Sequence, residues 1–200
     1  IGNRQDKSKA EDALKEYEKS LPQSQKDLKD VTAAYDKDRS SVDAQRKYFN
    51  TLSALNSTTS AIASLYENLT QPDKAREWQM KVAADTEMPA TARARALSSL
   101  ASKSNSCANE ISDTEATKKT IQQAGKDVFQ FTKPASAEDF AKLKQCVEEG
   151  TKFIDQAVAL EPEEVKNAAT FDIAKASDTQ LALSSEIFKV FESTRSYKAS

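Results

Sequence analysis

The run from Thr59 to Asp85 constrains this chain more than any other stretch. Ile62, Leu65, Tyr66 and Leu69 recur three and four residues apart, the spacing that lines up one face of an α-helix. Pro72 follows Thr70-Gln71 and suits the first turn of a new helix, where its missing N–H would have no intrahelical partner anyway. Ala75, Trp78 and Val82 then mark a second apolar face of the same period. The small residues Ala63 and Ala75 let the two backbones approach closely. The predicted unit is a helical hairpin that cannot bury its apolar face alone, so the rest of the chain must supply neighbours of the same kind. Composition agrees: 3 Gly and 5 Pro among 200 residues, with many Ala, Lys, Glu, Gln and Ser, favour helix over sheet.

Charge and residue usage remove several function classes. The net charge of −2, with basic and acidic residues interleaved, creates no field for nucleic acid or anionic lipid. No apolar run approaches the ~18 residues that a membrane span needs, and the mean hydropathy is −0.69. The chain has no histidine, so the commonest general base and metal ligand are both missing. Its two cysteines, Cys107 and Cys146, cannot by themselves make a structural zinc site. Glu110, Asp113 and Glu115, like Glu161, Glu163 and Glu164, read as acids at helix ends. Ser98-Ser99 and Ser184-Ser185 have no base partner. The expectation is a non-catalytic protein without cofactor or metal. The chain starts at Ile1, which fits a processed product or a trimmed fragment.

Along the chain, residues 1–7 read as a disordered or tethering segment. Ala13, Leu14, Tyr17 and Leu21 mark a first helix that Pro22 should stop, and Leu28, Val31, Ala34 and Tyr35 mark a second. Ser40-Ser41 offers a cap for a third. From Val42, apolar positions continue through Tyr48, Phe49, Leu52 and Leu55 to Leu69, with Gln45 the exception; one unbroken helix accommodates them. Asn56 to Thr59 is the stretch that could interrupt it. Its sequon and that at Asn68-Leu-Thr70 fall on predicted helix and are discounted. Thr91 to Ile111 is a further helix. The segment 112–136 differs: Ile121, Val128, Phe129 and Phe131 flank the turn signal Ala124-Gly125-Lys126-Asp127, so it reads as a short β-hairpin or an ordered loop. Ser136 caps a helix that reaches Leu160, and a last helical region runs from Glu163 to near Tyr197.

The pattern resembles the tetratricopeptide repeat (TPR) family. A-L-K-E-Y-E-K-S-L at 13–21 is similar to the second helix of a repeat, and G-T-K-F-I-D-Q-A-V-A-L-E-P at 150–162 to the same helix with its closing proline. Ile62, Ala63 and Tyr66 match the large, small and aromatic positions of a first helix. Leu97, Leu100 and Ala101 again resemble a first helix, whose partner is delayed by the insertion. The resemblance is to secreted or lipid-anchored TPR proteins of some Gram-negative bacteria. It implies an all-α array of antiparallel helical hairpins, a short α-solenoid over residues 8–200, with one excursion at about 112–136. It implies export to the periplasm or cell envelope, the alternative being the cytoplasm, and leaves room for a lipid anchor ahead of Ile1.

The resemblance also implies a role. A short superhelix of this kind is a scaffold that binds a protein or peptide in its groove; the alternative is a structural subunit of a larger envelope or membrane-associated assembly. In such an array the first helix of each repeat lines the concave face. Arg46, Asn50, Ser53, Ser60, Ser64 and Glu67 of one helix, and Arg95, Ser99 and Lys103 of the next, would then face a polar, mixed-charge groove. Reversing Arg46 and Arg95 to Glu is expected to weaken binding at nearly unchanged melting temperature. Phe129 and Phe131 of the insertion would cap the groove or dock a second surface. Cys107 and Cys146 fall on the two helices of one repeat, so they would either bridge or remain two buried thiols.

Overall fold

The computed structural model describes residues 2–199, with side chains from Lys7 onward. The fold is all-α apart from one two-stranded sheet. Helix α1 spans Gly2–Lys37, α2 Val42–Asn68, α3 Pro72–Ala84 and α4 Ala90–Ser112. Strands β1 (Lys118–Gln123) and β2 (Lys126–Phe131) form the hairpin; α5 (Ala137–Ala159), the four-residue α6 (Glu163–Lys166) and α7 (Asp178–Ala199) follow.

Two expectations about α1 are corrected. Pro22 does not stop it: the helix runs through to Lys37 with Pro22 inside. The reason is tertiary. Leu14, Leu21 and Leu28 are all buried, and Tyr35 packs beside them. Those four residues are seven apart, a heptad seam that keeps phase across the proline and lies along α2. Pro22 points outward, so its missing hydrogen bond lies on the solvent side. The second correction concerns the disordered segment read at 1–7. Ile1 lies outside the described residues, but Gly2 to Lys7 continue the helix; no proline or further glycine there interrupts it.

Helix α2 is unbroken. Ser41 Oγ accepts from Ala44 N at 3.3 Å at its start. At its end Gln71 N donates to Tyr66 O and Thr70 N to Glu67 O, both at 2.9 Å, a Schellman closure with Thr70 at φ 58°. The two polar interruptions of its apolar stripe are buried and bonded. Gln45 donates through Nε2 to Arg39 O at 2.7 Å. Asn56, 0 % exposed, accepts from Thr91 Oγ1 at 3.0 Å. Ala63 and Ala75 are buried, as their size predicts, and Trp78 fixes the α2–α3 pair by donating Nε1 to Thr59 O at 3.0 Å.

The last helical region is not continuous. After α6 the chain forms a 3-10 turn at Ala168–Thr170 and irregular backbone up to Ser177. Helix α7 then starts on a capping box: Gln180 N donates to Ser177 Oγ at 3.2 Å and Ser177 N to Gln180 Oε1 at 2.8 Å. It lies against α2, α4 and α5. Leu183, Ile187, Val190 and Phe191 enter the same core as Leu52, Leu55, Leu100 and Phe153.

The excursion is a hairpin with Lys118 opposite Phe131 and Ile121 opposite Val128. Its turn places Ala124 at φ 53° and Gly125 at φ 75°, the left-handed pair of a type I′ connection. Below it, the Cys107 and Cys146 sulfurs lie at bonding distance with their Cα atoms 6.0 Å apart, joining α4 to α5. No described helix is long and apolar enough to cross a membrane.

Candidate functional site

A concavity of about 170 Å³ opens between α2, α3 and α4. Its position follows from the small residues of each helix. Ala63 on α2 and Ala92 and Ala96 on α4 keep the facing side chains short, and Trp78 and Val82 of α3 close the floor. Ser60, Ser64 and Glu67 from α2, with Arg95 and Ser99 from α4, form the rim. Lys103 joins them by pairing with Glu67 at 2.9 Å. Six of the nine helix positions expected to face a groove are therefore brought together.

The other three are not. Arg46, Asn50 and Ser53 lie earlier on α2 and do not line the concavity. Arg46 instead pairs with Asp43 at 3.1 Å on its own helix. Arg46 and Asn50 stay exposed on the part of α2 that precedes the concavity, while α7 packs against other positions of α2 and α4. Ser177 Oγ reaches Gln45 Oε1 at 3.4 Å, and Asn56 Nδ2 donates to Glu186 Oε1 at 3.2 Å. Ser98 and Thr194 hydroxyls meet at 3.2 Å, and Tyr197 OH donates to Ala101 O at 3.3 Å.

Arg95 carries the main correction at this site. It is not a free groove cation: its guanidinium pairs with Glu186 of α7 at 2.7 Å, and both side chains are mostly shielded, at 35 % and 21 % exposure. Reversing it would set two carboxylates against each other beside buried Asn56, so the expectation of an unchanged melting temperature does not hold for this position. Arg46 has no such shielded partner; its pair with Asp43 is a surface contact.

Sequence reasoning missed Gln79 and Glu186. Gln79 is 6 % exposed and donates Nε2 to Ser99 Oγ at 2.7 Å, orienting that hydroxyl. A polar residue on the apolar face of a short helix is the signal that marks it. Glu186 had none, because its partners are Asn56 and Arg95, far away in sequence. A second, more open cavity of about 430 Å³ lies where α1 passes α3, with Leu21, Pro22, Trp78 and Met88 below and Glu18 and Lys81 at its edge. Glu18 accepts there from Tyr66 OH at 2.6 Å, which pushes the Tyr66 phenol up to about 12.

Phe129 and Phe131 stand apart from both. No hairpin residue lines either cavity, so the excursion does not cap the concavity. The rings are 62 % and 58 % exposed. The arrangement on the rim offers hydroxyls, one carboxylate, the shielded Arg95 and the exposed Lys103, groups able to form hydrogen bonds with a polar chain. The chain matches no protein-family model, no curated protein and no solved structure.

Proposed function

We propose that this protein is a non-catalytic, TPR-like interaction scaffold that holds a peptide or protein segment at the concavity between α2, α3 and α4. One observation carries the reading. Hydroxyl, amide and carboxylate groups from three helices, Ser60, Ser64, Glu67, Gln79 and Ser99, converge around an open, apolar-floored depression. Such a surface gives a partner's backbone directional bonds above a floor that Trp78 and Val82 keep apolar. The α2–α3 and α4–α5 pairs are read as two repeats and α7 as a helix laid over part of their inner face. The paired cysteines support export to an oxidising compartment, the periplasm or cell envelope.

A photo-crosslinker placed at Ser64 tests this in the source cells, with the same group at the remote, exposed Glu16 as control. The expected result is a discrete adduct at Ser64 alone, abolished by Ser60→Trp, which fills the concavity. No adduct, or the same adduct at both positions, would refute the site.

A second reading, a structural subunit of a larger envelope assembly, is favoured by the exposed Phe129 and Phe131. It expects the protein to sediment with a membrane complex even when Ser60→Trp has closed the concavity.

A further inference from the structure

The hairpin β1–β2 has no part in the concavity, and its surface points to a different occupant. We propose that it docks the protein onto an anionic lipid surface. The inference stands apart from the scaffold reading and survives its failure.

The register sets Lys118 opposite Phe131 and Thr120 opposite Phe129. Side chains alternate faces along a strand, so both rings and Lys118 share one face. The Lys118 ammonium lies 4.3 Å and 5.7 Å from the two ring centroids. Ile121, 37 % exposed, faces Val128 on the other side. None of these residues joins the hydrophobic core. The ribbon thus presents apolar side chains on both faces to water.

Charge gives the second argument. Between residues 118 and 131 there are three lysines, Lys118, Lys119 and Lys126, against the single Asp127, a local balance of +2 in a chain of net −2. The whole-chain charge hides this segregation. Lys118 is offset by Asp113 at 2.8 Å; Lys119 and Lys126 are exposed.

The mounting is the third. Thr117, 6 % exposed, donates Oγ1 to Ser112 O at 2.8 Å, and Thr132 N closes onto Thr117 O at 2.8 Å. The Cys107–Cys146 pair ties the helices beneath. The ribbon is held out from the helices instead of folding back on them.

The same alternation puts Lys119 and Lys126 on the Ile121–Val128 face, away from the rings; at a headgroup boundary the rings enter the acyl edge while these long side chains reach round the thin ribbon to phosphates. An acidic polypeptide would pair with the lysines but give the Phe129–Phe131 face no apolar layer to enter, which a lipid boundary supplies.

Co-sedimentation of the oxidised, full-length chain with vesicles tests this. One set is phosphatidylcholine alone; the other is equal parts phosphatidylcholine and phosphatidylglycerol. Expected is binding to the anionic vesicles only, weakened by salt. The double variant Phe129→Ser/Phe131→Ser should reduce partitioning at least ~tenfold. Lys119→Gln/Lys126→Gln should reduce it too, whereas Lys15→Gln/Lys29→Gln, the same charge change on α1, should not. Unchanged circular dichroism shows that the exposed substitutions leave the helices intact. No binding to anionic vesicles, or binding that survives the Phe double variant, overturns the proposal. Hairpin-dependent retention on immobilised polyglutamate without vesicle binding overturns it equally and assigns the surface to an acidic polypeptide.

Discussion

The Arg95 guanidinium of α4 pairs with the Glu186 carboxylate of α7 at 2.7 Å, and the same oxygen accepts from Asn56 of α2 at 3.2 Å. One carboxylate thereby ties three helices together. Glu186→Ala should leave the fully buried Asn56 amide without this acceptor, at a cost of about 1–3 kcal/mol. In a chain of this size that lowers the melting temperature by roughly 2–12 °C. Arg95→Glu should act in the same direction, while Arg46→Glu should stay within about 0.5 kcal/mol. Thermal melts of the three variants decide it; equal melting temperatures would contradict the network.

The cysteine pair closes a loop between residues 39 apart. Such a bridge typically stabilises by ~2–4 kcal/mol. Reduction without denaturant should lower the melting temperature, and Cys107→Ser/Cys146→Ser should reproduce the shift. Intact mass after alkylation, with and without reductant, tests the bond itself: two alkylated thiols in the denatured, unreduced protein would show that no bridge forms.

Burial pushes the Glu164 carboxyl up, with Arg39 opposing. A carboxyl raised in the folded state contributes stability that is complete below its unfolded pKa and is lost as pH rises through the folded value. Glu164→Gln should therefore gain on the parent between acid and neutral pH. The gain is small, below about 1 kcal/mol, because the residue keeps contact with water. A variant-minus-parent difference in melting temperature that is flat with pH, or falls toward neutrality, would reject this account.

Thr70 holds φ 58° at the end of α2. A β-branched residue in the left-handed region is strained by roughly 1–2 kcal/mol, and glycine relieves it. Thr70→Gly should raise stability in urea titration, whereas Thr70→Val should not.

Helices α4 and α5 meet closely at Gly150: a Cβ there would stand 3.2 Å from Ser104 Cβ. Gly150→Leu should overpack this contact and cost about 1–3 kcal/mol. Ser104 is 4 % exposed and its Oγ has no partner. Ser104→Ala removes a buried, unbonded hydroxyl while keeping the Cβ, so it should be neutral or stabilising. A marked loss of stability in Ser104→Ala would mean the hydroxyl is bonded after all.

The sequence by itself determined the local grammar of this protein. Ser41 and Ser136 as caps, Pro72 at the first turn of α3, the three-and-four spacing from Leu52 to Leu69 and the turn at Ala124-Gly125 all act within a few residues, so local chemistry specifies them. The Ser177–Gln180 capping box that starts α7 is just as local, yet the expectation of one helical region from Glu163 to near Tyr197 passes over it. Of the candidate site, Ser60, Ser64, Glu67, Arg95, Ser99 and Lys103 were readable as one face of their helices. Tertiary structure decided the rest. Pro22 stays inside α1 because the Leu14–Leu21–Leu28 seam against α2 outweighs one lost hydrogen bond. Gln45 and Asn56 are interior because Ser177 and Glu186, more than a hundred residues away, complete their bonding. The path of α7 across α2, α4 and α5 depends on surfaces that exist only once those helices have packed, and no local pattern in the chain encodes it.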